Sequence, residues 1–186
     1  MYRFLLVDDE INVSKALRRL LVNNAIMPHL PAFKVTIHDS PERALCWAAD
    51  HKVDVVISDY RMPVMDGVTF LTRMKELQPD TALLLLSANA DMEGVTRAIN
   101  DVGIFRFLSK PWNDSQLKGA VADALKSQAL LLENRRLADE VRLQRGVISK
   151  HELELKRLEE TSPGITRVRW SDDGGVLLEP SSSNRG

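Results

Sequence analysis

Residues able to do charged chemistry stand at the ends of apolar runs: Asp8 and Asp9 follow Phe4-Leu5-Leu6-Val7, Asp59 follows Val55-Val56-Ile57-Ser58, and Ser87 and Lys110 close two later runs. In an open parallel sheet the ligand site lies beyond the carboxyl ends of the strands, so residues distant in sequence but each at a strand end converge there. Clustered carboxylates suit a hard cation such as Mg²⁺, and a lysine with a hydroxyl beside them suits an oxyanion. The set reads as a phosphorylatable aspartate with its metal and phosphate ligands. Taken singly, Asp8 and Asp9 could cap a helix and Lys110 could be a surface charge; it is their combination with Asp59 that argues for one pocket.

The elements that must position these groups follow from periodicity. Short apolar runs alternate with longer segments of helical period, the βαβ pattern of a parallel sheet covered on both faces. Strands are expected near 3–8, 34–38, 53–58, 82–87 and 104–108, and helices near 11–24, 41–50, 66–77 and 91–101, with a fifth starting near 113. Ser40-Pro41 supplies an N-cap and a first-turn proline, and Asn113 or Asp114 can cap the fifth helix. Five βα units give an α/β chain of doubly wound, flavodoxin-like type with strand order 2-1-3-4-5. The stretch 26–32, with Pro28 and Pro31, reads as a connection.

Leu5-Leu6-Val7-Asp8-Asp9-Glu10, Ser58-Asp59-Tyr60-Arg61-Met62-Pro63-Val64-Met65-Asp66-Gly67, Leu86-Ser87-Ala88 and Phe107-Leu108-Ser109-Lys110-Pro111 together resemble the receiver domain of bacterial two-component response regulators, CheY-like in type, over roughly 1–125. The resemblance implies that Asp59 is the phosphoacceptor and that Asp9 and Asp59 hold Mg²⁺ directly. By the same likeness Asp8 holds the ion largely through water, and the backbone carbonyl of Arg61 adds a ligand. It implies that Lys110 pairs with the phosphoryl oxygens and that Ser87 hydrogen-bonds one of them. It further implies a cis peptide before Pro111, an aromatic switch at Phe107 working with Ser87, and tuning of the acyl-phosphate lifetime by the side chains of Arg61 and Asn89. Phe107 also fits as a plain core residue, and Asp66-Gly67 reads as a turn into the third helix without chemistry. The donor implied is a sensor histidine kinase or a phosphotransfer protein, and the responding face is the fourth helix, fifth strand and fifth helix.

At 186 residues and 44% hydrophobic, the chain can bury one good core with a tail left over. A net charge of −1 gives no electrostatic case for nucleic acid or an anionic membrane, and no apolar run approaches a membrane span. A cytoplasmic location is expected. Cys46, the only cysteine, sits among Ala44, Leu45, Trp47 and Ala48 and is expected on a buried helix face.

After 125 the strands give way to charged helix. Leu130, Asn134, Leu137, Val141, Gln144, Ile148, His151, Leu155 and Leu158 form a heptad seam, imperfect at Gln144, His151 and Gly146. A homodimeric coiled coil over 126–160 is expected; a solvated helix or a hairpin broken at Gly146 fits the same residues. A small β-hairpin over 161–180, centred on Ser171-Asp172-Asp173-Gly174-Gly175, and a disordered tail 181–186 complete the expected organisation.

Three rivals are weighed. A haloacid-dehalogenase-type phosphatase needs Asp-x-Asp after its first strand, where this chain has Asp8-Asp9-Glu10. A DNA-binding regulator is not expected, because a winged-helix or helix-turn-helix domain does not fit after Leu125 and the charges of the coil are interspersed, unlike a basic leucine zipper. The wording around Asp59 and Lys110 also resembles receivers fused to cyclic-di-GMP phosphodiesterases of the HD-GYP kind. The metal-binding His-Asp and Gly-Tyr-Pro motifs of that module do not follow, since His38-Asp39 lies within the receiver stretch. The expected function is a phosphorelay receiver that is not an enzyme beyond its own phosphorylation and dephosphorylation, and that acts through an unidentified protein target. A fragment of a larger regulator is the alternative.

Overall fold

A computed structural model of the chain describes residues 1–22, 33–88 and 102–161. Five strands, β1 (Tyr2–Val7), β2 (Phe33–His38), β3 (Val55–Asp59), β4 (Ala82–Ser87) and β5 (Arg106–Ser109), form one parallel sheet in the order β2-β1-β3-β4-β5. The expected flavodoxin-like order is thus the observed one. β3 and β4 sit centrally and are buried almost throughout, which is why their sequences lack polar alternation.

Alternate residues of each strand feed two cores. Leu5, Val7, Val56, Leu83 and Leu85 meet α2 (Pro41–Ala48) and α3 (Gly67–Leu77) on one face. Phe4, Leu6, Val55, Ile57, Leu84 and Leu86 meet α1 (Ile11–Val22) and the long α4 (Asp114–Gln144) on the other. The helix starts follow their caps: Ser40 Oγ accepts from Arg43 N with Pro41 behind it, Asp66 Oδ1 from Thr69 N, and Asn113 Oδ1 from Ser115 N and Gln116 N. The expected helix over 91–101 and the connection 26–32 lie outside the described residues, as does the expected hairpin.

Cys46 departs from expectation. α2 buries Pro41, Ala44 and Ala48, a stripe of helical spacing, and Cys46 falls on the opposite side, exposed.

The C-terminal extension also differs from an unbroken seam. α4 packs on the sheet through Leu117, Ala120, Val121, Ala124 and Leu125; beyond these, Gln128 Nε2 donates to Asp54 O at 3.0 Å and Asp80 O at 3.2 Å, and Arg135 pairs with the Asp80 carboxylate. α4 ends at Gln144, and Gly146 turns the chain with a φ of 68°. A second helix, α5 (Lys150–Thr161), then starts at a capping box: Glu152 N donates to Ser149 Oγ and Ser149 N to Glu152 Oε2. It folds back on α4, with Lys156 Nζ 2.5 Å from Asp139 Oδ2, a carboxylate that Arg142 of α4 itself also pairs at 3.2 Å. Within one chain the described extension is therefore a helical hairpin.

Candidate functional site

Four strand ends build the site. β1 hands over to Asp8 and Asp9, β3 ends on Asp59, β4 ends on Ser87, and β5 stops one residue before Lys110. One carboxylate oxygen from each of Asp8, Asp9 and Asp59 lies within 4.8 Å of the others. Asp8 and Asp59 are 2% and 7% exposed, while Asp9 faces outward. Lys110 Nζ stands 2.6 Å from Asp59 Oδ1 and 2.7 Å from Asp8 Oδ2, so one ammonium bridges two buried carboxylates. The other oxygens are held by backbone donors, Glu10 N to Asp8 Oδ1 at 2.9 Å and Arg61 N to Asp59 Oδ2 at 3.0 Å.

Burial pushes the Asp8 carboxyl above the ordinary carboxylate range, with nearby Asp59 acting in the same sense, against the hydrogen bonds from Lys110 and Glu10 N. Burial also disfavours the Lys110 ammonium, but its hydrogen bonds to Asp59 and Asp8 outweigh that, and the lysine is held above its usual value. The difference has a simple origin: Lys110 faces two anions, whereas Asp8 faces one cation and a second anion. Three carboxylates around one point, one of them facing solvent, are hard oxygen donors of the kind Mg²⁺ takes.

The remaining expected residues are placed as follows. Ser87 is buried at the end of β4, and its carbonyl accepts from Lys110 N at 2.6 Å. The Lys110-Pro111 peptide is cis. Phe107 is half-buried against the α2 and α3 core. Arg61 is exposed beside Asp59, and Asn89 lies outside the described residues.

Two features of the loop from β3 to α3 escape sequence reading. Gly67 N donates to Tyr60 O at 2.8 Å, and a Cβ at Gly67 would stand 2.0 Å from the Asp59 carbonyl oxygen. Gly67 is therefore more than a turn: only a residue without a side chain lets α3 start against the backbone of Asp59. Between them Val64, 96% exposed, adopts φ 71°, and Met65 N donates to Pro63 O at 2.8 Å, a tight turn unusual for a β-branched residue. A Met-Pro-x-Met-Asp-Gly run that begins three residues after a strand-end aspartate is the available signal.

Comparison with known proteins agrees with this geometry. Residues 4–122 match the model of the response regulator receiver domain. The hydrogenase transcriptional regulatory protein HoxA of Bradyrhizobium diazoefficiens is 31% identical over 146 residues, 78% of this chain and 28% of that protein. The cyclic di-GMP phosphodiesterase response regulator RpfG of Xanthomonas campestris pv. campestris is 31% identical over 175 residues, 92% of this chain and 44% of that protein. The chain thus spans less than half the length of these curated relatives. Among solved structures, the signal receiver domain of an HD domain-containing protein from Pseudomonas fluorescens Pf-5 is 36% identical with a TM-score of 0.61, covering 69% of this chain and 97% of that one. With its sheet order, its acidic strand ends and a family match across most of its length, the chain belongs to the response regulator receiver domain family.

Proposed function

We propose that the chain is the phosphoryl-accepting switch of a two-component phosphorelay, with Asp59 the acceptor. The observation that carries this reading is the Lys110 ammonium bridging Asp59 and Asp8 beside outward-facing Asp9. An Asp59 oxygen attacks the phosphorus of a phosphohistidine on a sensor kinase or phosphotransfer protein. A phosphorus-oxygen bond forms, the phosphorus-nitrogen bond breaks, and the histidine nitrogen leaves with the electron pair. Asp8, Asp9, Asp59 and the Arg61 carbonyl would hold Mg²⁺, which would supply the charge neutralisation that lets two anions approach. Lys110 and Ser87 then take the phosphoryl oxygens, and Phe107 follows Ser87. The side chains of Arg61 and Asn89 set the lifetime of the adduct.

In this reading the protein has no catalytic turnover of its own beyond phosphorylation and dephosphorylation of Asp59. It works in the cytoplasm, and its output is protein contact through the face of the expected helix 91–101, β5 and α4. Domain limits of 1–125 for the receiver, 126–160 for the extension, 161–180 for a small hairpin and 181–186 for a tail belong to the same proposal. So does a homodimer through the extension, supported by Leu130, Leu137 and Val141, which stay 59%, 50% and 43% exposed on α4. A second reading, the receiver portion of a larger regulator, rests on the 28% and 44% of the relatives' lengths that the chain spans.

The test is phosphorylation by acetyl phosphate with the adduct mapped by mass. Asp59 should gain one phosphoryl group with Mg²⁺ and none with EDTA. Label retained in Asp59→Asn overturns the assignment.

A further inference from the structure

A cavity of about 620 Å³ opens between the amino edge of the sheet and the helical hairpin, remote from the carboxylate site. Its apolar walls are Tyr2, Leu132 and Leu153, and five cations line it against two carboxylates. Three of those cations are engaged: Lys156 with Asp139, Arg135 with Asp80, and Arg136 at 3.9 Å from Glu133. Lys52 and Arg157 have no ion pair among the described residues. The groove therefore offers apolar surface with two uncommitted positive charges, and fits an occupant that is apolar and acidic together.

The chain itself supplies one. α5 ends at Thr161, four residues beyond Arg157 and so about 6 Å farther along the helix axis. The segment 162–186 that leaves this point is net neutral: it carries Val168 and Trp170 alternating with Arg167 and Arg169, then the adjacent acids Asp172 and Asp173, then Val176, Leu177 and Leu178, and it is the acidic pair that matches the two uncommitted cations. Asp172 lies eleven positions beyond Thr161, and eleven steps of extended chain reach up to ~36 Å, which is ample to return to the groove. The covalent connection also gives the segment an effective concentration that no free partner matches. We infer that residues 165–178 dock in this groove, with Asp172 and Asp173 against Lys52 and Arg157 and Trp170 against the apolar wall. The contact ties the C-terminal segment, α5 and the first strand into one unit. It uses a different side of α4 from the exposed Leu130, Leu137 and Val141, and it stands independently of the phosphoacceptor reading.

A carbodiimide condenses a carboxylate with a lysine amine only when the two touch, so the full chain should give an amide between Lys52 Nζ and Asp172 or Asp173. A mixture of isotope-labelled and unlabelled protein should place that link within single chains. Reversing both acids in the full chain, Asp172→Lys with Asp173→Lys, should raise amide exchange of Leu153, Lys156 and Arg157 about tenfold. Adding Lys52→Glu and Arg157→Glu to that variant should bring the exchange back toward the original. A link found only between labelled and unlabelled chains assigns the groove to a second copy and overturns the proposal. No link together with unchanged exchange after charge reversal overturns it outright. Protection by inorganic phosphate that survives the reversal makes the groove a small-anion site instead.

Discussion

Replacing Gly67 with alanine should damage the acceptor and the fold together, by amounts the geometry sets. The new Cβ would lie 2.0 Å from the Asp59 carbonyl oxygen, 2.9 Å from its carbon and 3.0 Å from Leu85 Cδ1. The side chain of Leu85 can yield, but a backbone carbonyl inside a central strand cannot. To recover even a 3.0 Å contact, the start of α3 and the end of β3 must part by at least 1.0 Å. Two consequences follow. α3 is anchored by fully buried Phe70, Leu71 and Met74, so the separation loosens that core, and overpacking of this kind costs about 1–3 kcal/mol. The alternative movement carries Asp59 away from Lys110, now 2.6 Å distant, and a misplacement of about 1 Å at a reacting group costs on the order of 100-fold in rate.

The assay pairs urea unfolding with the initial rate of acetyl-phosphate labelling, measured at a temperature where circular dichroism shows the variant fully folded. Gly119→Ala is the control. Nothing lies within 4 Å of its would-be Cβ, so helix propensity alone acts there and should stabilise α4 by about 0.5–1 kcal/mol with labelling unchanged. A Gly67→Ala protein with wild-type stability and a labelling rate within twofold of wild type would refute the reasoning. A destabilised variant that labels normally while folded would separate the packing argument, which survives, from the positioning argument, which does not.

Two other perturbations have defined signs. Val64 holds a left-handed φ of 71° while fully exposed, so Val64→Gly removes backbone strain at no packing cost and should raise the urea-derived stability by about 1 kcal/mol; an unchanged or lower value shows the turn is not strained. The Asp139 carboxyl is held below the usual carboxylate range, chiefly by its hydrogen bond from Lys156. A depressed carboxylate contributes stability that is present above the unfolded value of about 3.9 and lost as pH falls through the folded one. Amide protection of α5 should accordingly hold from pH 7 to about 4 and fall below it, and Asp139→Asn should show the low protection already at pH 7. Equal protection in the two proteins at pH 7 would mean that this ion pair does not hold the hairpin.

What the sequence discloses depends on whether the determining contact is periodic or incidental. Strand positions and the convergence of Asp8, Asp59, Ser87 and Lys110 follow from runs of apolar residues, most directly for β3 and β4, which are buried almost throughout, and least for β5, where Leu108 alone is buried. Boundaries slip where polar side chains take over a ladder position. β3 is expected from 53 but begins at Val55 because Val53 N is taken by Gln78 Oε1 at 2.8 Å and Asp54 uses its carboxylate on Arg3 N at 2.6 Å. The extension shows two readable signals in competition. The heptad spacing argues for one long helix, while Gly146 followed by Ser149-x-x-Glu152 argues for a stop and a new start, and the local chemistry prevails. Little tertiary contact outweighs it there: beyond Gln128 the described residues tie α4 to the receiver by the Arg135–Asp80 ion pair, and Leu130, Leu137 and Val141 stay exposed. Gly67 is the opposite case. Its cause is a backbone approach eight residues away across a loop, invisible to any period, and only the path of that loop past Val64 brings the start of α3 onto the carbonyl of Asp59. The site's charges are therefore readable from the chain, whereas the close fit that aims the central one is a property of the folded loop.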